Sequence, residues 1–183
     1  MIGTMARKPV AREAVLDAFE SLLIEEGERA ATLDAVARLA GVSKGGLLYH
    51  FPNKEAMISV LLERLDRLLD EDLAAMAAAP EGAAAFFIKS SVWADTPLDR
   101  VFVAATRLAE VAHQETLRRM AAVQASWLEL LAADVGPAMA KPVLYMGDGL
   151  YFNAMLARGP GGALPEVGPD VESLLTALKR LRG

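Results

Sequence analysis

The stretch TLDAVARLAGVSKGGLLYHFPNK, from Thr32 to Lys54, constrains the fold of this chain more than any other, because its helix start and stop signals are closely spaced and mutually consistent. Thr32 is placed to cap a first helix whose inward face carries Val36, Ala37 and Ala40, and Gly41 closes it where a left-handed turn is required. Val42 plugs the turn. Ser43 is suited to cap a second helix, Lys44 to Phe51, which Pro52 ends because it lacks a backbone N–H and disfavours helical geometry just before it. Asn53 then caps a third. Helix, tight turn and short helix make the spacing of a helix-turn-helix, whose second helix enters the DNA major groove with its N-terminal residues at base edges. The adjacent Gly45 and Gly46 cost that helix roughly 2 kcal/mol relative to alanine. A purely structural hairpin has little use for them, whereas their missing side chains let backbone approach a groove.

The rest of the composition bounds what surrounds this motif. With 183 residues, 54% of them hydrophobic, the chain can bury a full core. Alanine and leucine dominate and β-branched runs are short, so the expected fold class is all-α. The apolar surplus implies a subunit interface or a ligand cavity. The absence of cysteine removes disulfides and thiolate chemistry and fits a cytoplasmic protein. The N-terminus has no apolar run of the secretory kind, and no stretch reaches the roughly 18 apolar residues that span a bilayer, so no membrane role is expected.

A formal net charge of -5 is unpromising for a DNA partner until it is divided along the chain. Residues 1–54 hold seven basic and seven acidic side chains, so the whole deficit lies beyond them. From Gly41 to Lys54 there are two lysines, one histidine and no acid, and that local field favours phosphate.

In chain order, Met1 to Lys8 reads as an arm whose Arg7 and Lys8 either reach phosphates or the minor groove or stay solvated. Val15, Phe19, Leu22 and Leu23 mark a first helix from Pro9 to Glu26. The helix after Asn53 runs from Lys54 to about Ala79, with Ile58, Leu61, Leu62, Leu65, Leu68, Leu69, Leu73 and Met76 on one stripe. Pro80-Glu81-Gly82 breaks it. Further helices are expected over Ala83–Trp93, from Thr96-Pro97 to about His113, over Glu115–Ala133, and from a start between Pro137 and Pro142 to near Arg158. Gly159 to Pro169 reads as loop, and Asp170–Leu181 as a last helix. The total is about nine helices.

The run AGVSKGGLLYHFPNKEAM closely resembles the DNA-binding signature of the TetR family of bacterial transcriptional regulators. The resemblance is strong from Val10 to Met57 and extends loosely to DGLYF at Asp148–Phe152. Gly41, Ser43, Gly45, Leu47, His50, Phe51, Lys54 and Glu55 fall at the expected spacing, while Leu48 stands where the family often has a tyrosine. The resemblance implies an N-terminal reading head, residues 1–54, and a ligand-binding and dimerising region, residues 55–183. Candidate DNA-binding residues are Thr32, Ser43, Lys44, Gly45, Gly46, Leu48, Tyr49, His50 and Lys54. Lys44 can reach guanine O6 or N7, or a phosphate; Thr32, Tyr49, His50 and Lys54 resemble phosphate-contacting positions. Ser43 caps and can touch phosphate through the same helix end. Leu48 touches a thymine methyl or simply packs.

By the same resemblance the last two helices pair with their copies in a homodimer, through Tyr145, Leu150, Met155, Leu174, Leu175 and Leu178. The middle helices enclose an effector, with Phe86, Trp93, Phe102, Met120, Trp127 and Tyr151 as walls and Arg107, His113 and Gln124 as polar fixers; these aromatics point to an apolar or aromatic small molecule. Asp148 between Gly147 and Gly149 reads as close packing. No cofactor is expected, two histidines are too few for a histidine-rich metal site, and no nucleophile elbow or phosphate-cradling loop supports an enzyme. The function expected is a ligand-responsive repressor that binds a palindromic operator as a dimer and is released by a small-molecule effector. The alternative is a helical module binding a small molecule or protein without DNA.

Overall fold

The computed structural model describes residues 7–157 and 166–182. Among them the chain is all-α, with nine helices: α1 Arg7–Glu26, α2 Leu33–Leu39, α3 Lys44–His50, α4 Lys54–Ala77, α5 Ala83–Ser90, α6 Pro97–Glu110, α7 Gln114–Val135, α8 Pro137–Leu156 and α9 Gly168–Arg182. None of these is long and apolar enough to cross a membrane. Arg7 and Lys8 open α1, whereas Met1 to Ala6 and most of the loop expected at Gly159–Pro169 fall outside the described residues.

The punctuation is where local chemistry demands it. Gly27, Gly41, Gly82 and Gly136 all have positive φ, and each stands at a helix boundary. Two boundaries depart from expectation, and a third, the start of α8, falls at the early end of its expected range. The helix expected to reach Trp93 stops at Ser90, where the Ser90 and Ser91 hydroxyls both donate to the Phe87 carbonyl, at 3.2 and 2.7 Å. Pro142 lies inside α8, which begins at Pro137. And α9 starts at Gly168, since a proline in the first helical turn gives up no hydrogen bond that the helix would have made.

The chain divides into two compact units. The first comprises residues 1–68 and 97–120, and the second residues 69–96 and 121–183. In the first unit, α1 buries Val15, Leu16, Phe19 and Leu23; α2 and α3 supply Val36, Ala37 and Leu47, α4 supplies Met57, Leu61 and Leu65, and α6 supplies Val101, Ala104 and Leu108. Among the described residues two acids are buried in this unit, Glu20 and Asp99, and Glu20 is the deeper. Glu20 on α1, 4% exposed, receives Arg64 of α4 at 3.1 Å and Arg100 of α6 at 3.0 Å. Arg64 also bonds Glu13 at 2.7 Å and Asp17 at 2.8 Å. Burial pushes the Glu20 carboxyl above its ordinary range, against the pull of both arginines.

The second unit has its own core of Met76, Ala84, Phe87, Ile88, Leu131, Ala140, Val143, Leu144 and Leu178. Asp134 at the end of α7 caps α5 by accepting the Ala84 N–H at 2.8 Å. Gly147 of α8 lies against the Phe87 ring and the Ser91 hydroxyl, so closely that a side chain there would collide with both.

Candidate nucleic-acid interface

The motif is built from short capped helices. The Thr32 hydroxyl accepts from Ala35 N at 3.2 Å and starts α2, and the Ser43 hydroxyl accepts from Gly46 N at 3.0 Å and starts α3. Gly41, at φ +66, makes the turn between them. The Asn53 side chain accepts from Ala56 N at 2.9 Å and starts α4. Leu47 and Phe51 anchor α3, at 0% and 1% exposed, and the Arg12 guanidinium lies over the Phe51 ring at 5.3 Å.

With those anchors inside, the other face of α3 is outside. Lys44, Gly45, Leu48 and Tyr49 are exposed, as are Thr32, Asp34, Arg38 and Leu39 on the α2 side. Tyr49 is 68% exposed and stacks edge-on with half-buried His50, ring centroids 5.2 Å apart. The two glycines have different surroundings. A side chain at Gly45 would meet nothing, whereas one at Gly46 would press the Ser43 hydroxyl at 3.2 Å. Gly45 is therefore the open position on the face, whereas a side chain at Gly46 would need the Ser43 hydroxyl to give by a few tenths of an ångström.

The two lysines are both paired. Lys44 Nζ lies 3.0 and 3.1 Å from the two carboxylate oxygens of Asp34. Lys54 Nζ donates to the Glu28 carbonyl at 2.6 Å and to its carboxylate at 2.7 Å, and is only 27% exposed. Lys54 thus ties the start of α4 to the loop after α1. Residue counting along the motif does not reveal these partners, because Asp34 and Glu28 lie 10 and 26 residues away.

The residues expected around an effector fall in both units. In the first, Arg107 pairs with Glu110 at 3.2 Å. His113 caps α7, its Nδ1 accepting from Thr116 N at 3.3 Å while Nε2 lies 2.8 Å from the Glu55 carboxylate. Both ring nitrogens are therefore engaged, Nδ1 in capping α7 and Nε2 in tying it to α4. Phe102 and Met120 are half-buried. In the second unit Trp93 is 4% exposed and packs on Tyr151 with ring centroids 6.3 Å apart. Trp127 meets Phe87 edge-on at 5.5 Å, Phe86 packs against the same core, and Gln124 is exposed.

Of the residues expected at a dimer interface, Leu150 and Leu178 are turned into the protomer itself, at 5% and 3% exposed. Tyr145 is 61% exposed, and Met155, Leu174 and Leu175 are half-buried. Phe152 and Leu156, at 61% and 69% exposed, extend the Tyr145 side of α8 at intervals of seven and four residues.

Residues 15–61 match the family model described as bacterial regulatory proteins, tetR family. Over 166 residues the chain is 30% identical to the HTH-type transcriptional regulator BetI of Rhizobium meliloti (strain 1021), covering 84% of this chain and 82% of that protein. Among solved structures it resembles NalD, the secondary repressor of the MexAB-OprM multidrug efflux pump in Pseudomonas aeruginosa, at 19% identity and a TM-score of 0.66 over 93% of this chain and 94% of that one. The multidrug binding protein EbrR, complexed with malachite green, aligns with a TM-score of 0.66 at 19% identity over 94% and 98% of the two chains.

Proposed function

We propose that this chain, which belongs to the TetR family of bacterial helix-turn-helix transcriptional regulators, is a ligand-responsive repressor that binds a palindromic operator as a homodimer and leaves it when a small-molecule effector binds. The observation that carries the DNA-reading part is the face of α3. Its apolar side is sealed by Leu47 while Lys44, Gly45, Leu48 and Tyr49 stand in solvent on the other. An amphipathic helix of two turns with an open glycine on its wet face is shaped to lie in a major groove. Thr32, Ser43 and Tyr49 border that face and are assigned to phosphates; Lys54, held by Glu28, reaches one only by exchanging partners.

The homodimer is supported by the apolar side of α8, where Tyr145, Phe152 and Leu156 are exposed, together with half-buried Leu174 and Leu175 of α9. We assign Leu150 and Leu178 to the protomer core beneath it. The effector reading draws on the aromatic residues Phe86, Trp93, Trp127 and Tyr151 of the second unit, and on a structural relative, a multidrug binding protein, complexed with malachite green. We therefore propose an apolar or aromatic effector, with residues 1–54 as reader and 55–183 as sensing and dimerising region. The effector must prefer the released state, by about 10⁴-fold for a full switch, and it acts by changing the separation of two recognition helices that must stand about 34 to 36 Å apart.

The test is a titration of binding to the DNA flanking its own gene at increasing salt. With two to five phosphate contacts per protomer, the slope of log K against log salt should lie between about -4 and -9. No shift of that DNA, or a slope near zero, would favour the alternative of a helical binding module without DNA.

A further inference from the structure

Resting on the reading of α3 as the groove helix, we propose that Asp34 and Lys44 act as one unit that reads a single G·C base pair in each half-site. The two side chains come from different helices, Asp34 from the first turn of α2 and Lys44 from the first residue of α3. They meet in solvent, with side chains 71% and 56% exposed, and the lysine nitrogen bridges both carboxylate oxygens at 3.0 and 3.1 Å. An ion pair so exposed contributes little to stability. Its use is therefore not in holding the head together, which the caps and the buried Leu47 and Phe51 already do.

Nor does the pair serve phosphate attraction. Its net charge is zero, and an exposed carboxylate on a DNA-facing surface is repelled by the backbone. A donor and an acceptor held about 3 Å apart do match a base-pair edge. In the major groove a G·C pair presents, in order, guanine N7 and O6 as acceptors and cytosine N4–H₂ as donor. The ammonium can donate to N7 and O6 together while the carboxylate accepts from N4, and the carboxylate–ammonium contact spans adjacent groups across the pair. An A·T pair presents acceptor, donor and acceptor, so the carboxylate must sit in the middle and the ammonium keeps one acceptor only. Because the acid comes from α2 and the base from α3, the couple has a direction and distinguishes G·C from C·G. The neighbouring positions leave it room, since Gly45 has open space where a side chain would stand.

The experiment is selection from a randomised double-stranded DNA pool by the full-length wild type, Asp34→Ala, Lys44→Ala and the variant carrying both changes, with circular dichroism to check that helix content is unchanged. The wild type should select a repeated motif with one invariant G·C pair per half-site. Exchanging that pair should weaken binding by about 5- to 150-fold. Both variants should relax that same position and no other, and the double variant should relax it no further. If Asp34→Ala keeps every base preference, or relaxes a different position from Lys44→Ala, the unit does not exist although DNA reading stands. If the wild type enriches no motif at all, the DNA-reading function falls with it.

Discussion

Alanine at position 147 should weaken the second unit, and alanine two residues later should not. Both glycines lie inside α8, where Gly→Ala by itself gains about 1 kcal/mol from helix propensity. At Gly149 a new Cβ meets nothing within 4 Å, so Gly149→Ala should keep most of that gain. At Gly147 the Cβ would fall 2.3 Å from one Phe87 ring carbon, 2.9 Å from the next and 2.5 Å from the Ser91 hydroxyl oxygen. Carbon atoms rest at about 3.5 to 4.0 Å, so the ring would have to retreat by more than about 1 Å.

The ring has nowhere easy to go. Phe87 is 5% exposed and lies edge-on to Trp127, and the Ser91 hydroxyl is held on the Phe87 carbonyl at 2.7 Å. Overpacking of this kind costs about 1 to 3 kcal/mol, and a contact this short belongs near the upper end. Net of propensity, Gly147→Ala should lose about 1 to 2 kcal/mol, and the two variants should differ by about 2 to 3 kcal/mol. Both tryptophans, Trp93 and Trp127, lie in the second unit, so tryptophan fluorescence during urea unfolding reports on it directly. At equal protein concentration and equal slope, the midpoint of Gly147→Ala should fall below wild type and that of Gly149→Ala should not. A Gly147→Ala midpoint at or above that of Gly149→Ala would refute the packing argument.

Two further outcomes follow from the residues around these cores. Burial raises the Glu20 carboxyl above its ordinary 4.5, so between 4.5 and that raised value the folded state binds more proton there than the unfolded state does; stability therefore grows as pH falls through that window. Stability of wild type relative to Glu20→Gln should therefore improve on acidification through that window, measured by hydrogen exchange of α1 amides, and a constant difference would contradict it. Phe152→Glu changes a side chain 61% exposed in the protomer, so it should leave protomer stability within about 0.5 kcal/mol yet yield monomers in sedimentation velocity. A dimer that survives it places the interface elsewhere.

The parts of the fold that were legible are those decided within a few residues. Thr32, Ser43 and Asn53 are caps because a short side-chain oxygen meets an amide three residues on, at 2.9 to 3.2 Å. Gly41 and Gly82 take up positive φ where each helix must turn. What was hidden depends on the third dimension. Leucine at 150, 174, 175 or 178 satisfies a core and an interface equally well, and only the packing sends Leu150 and Leu178 inward. Trp93 reads as the end of an apolar helix, but the chain leaves helical geometry at Ser91 and buries the indole from a loop. Arg64 looks like one more charge on the wet side of α4 until α1 supplies Glu13, Asp17 and Glu20 around it.

The pairing of the two motif lysines bears on how the salt titration should come out. Lys44 is neutralised by Asp34 and Lys54 by Glu28, so in the unbound head neither is an uncommitted phosphate ligand. If Lys44 stays with Asp34 over a base pair, it releases no counterion, and the slope should lie towards the shallow end, near about -4. Removing the acid frees the ammonium. Asp34→Ala should then let Lys44 swing to a phosphate in each protomer, adding two contacts per dimer and steepening the slope by about 1.8. Loss of base preference with a steeper slope is what a base-reading pair predicts. A lysine that already rests on phosphate in the wild type predicts an unchanged slope, and the same titration distinguishes the two.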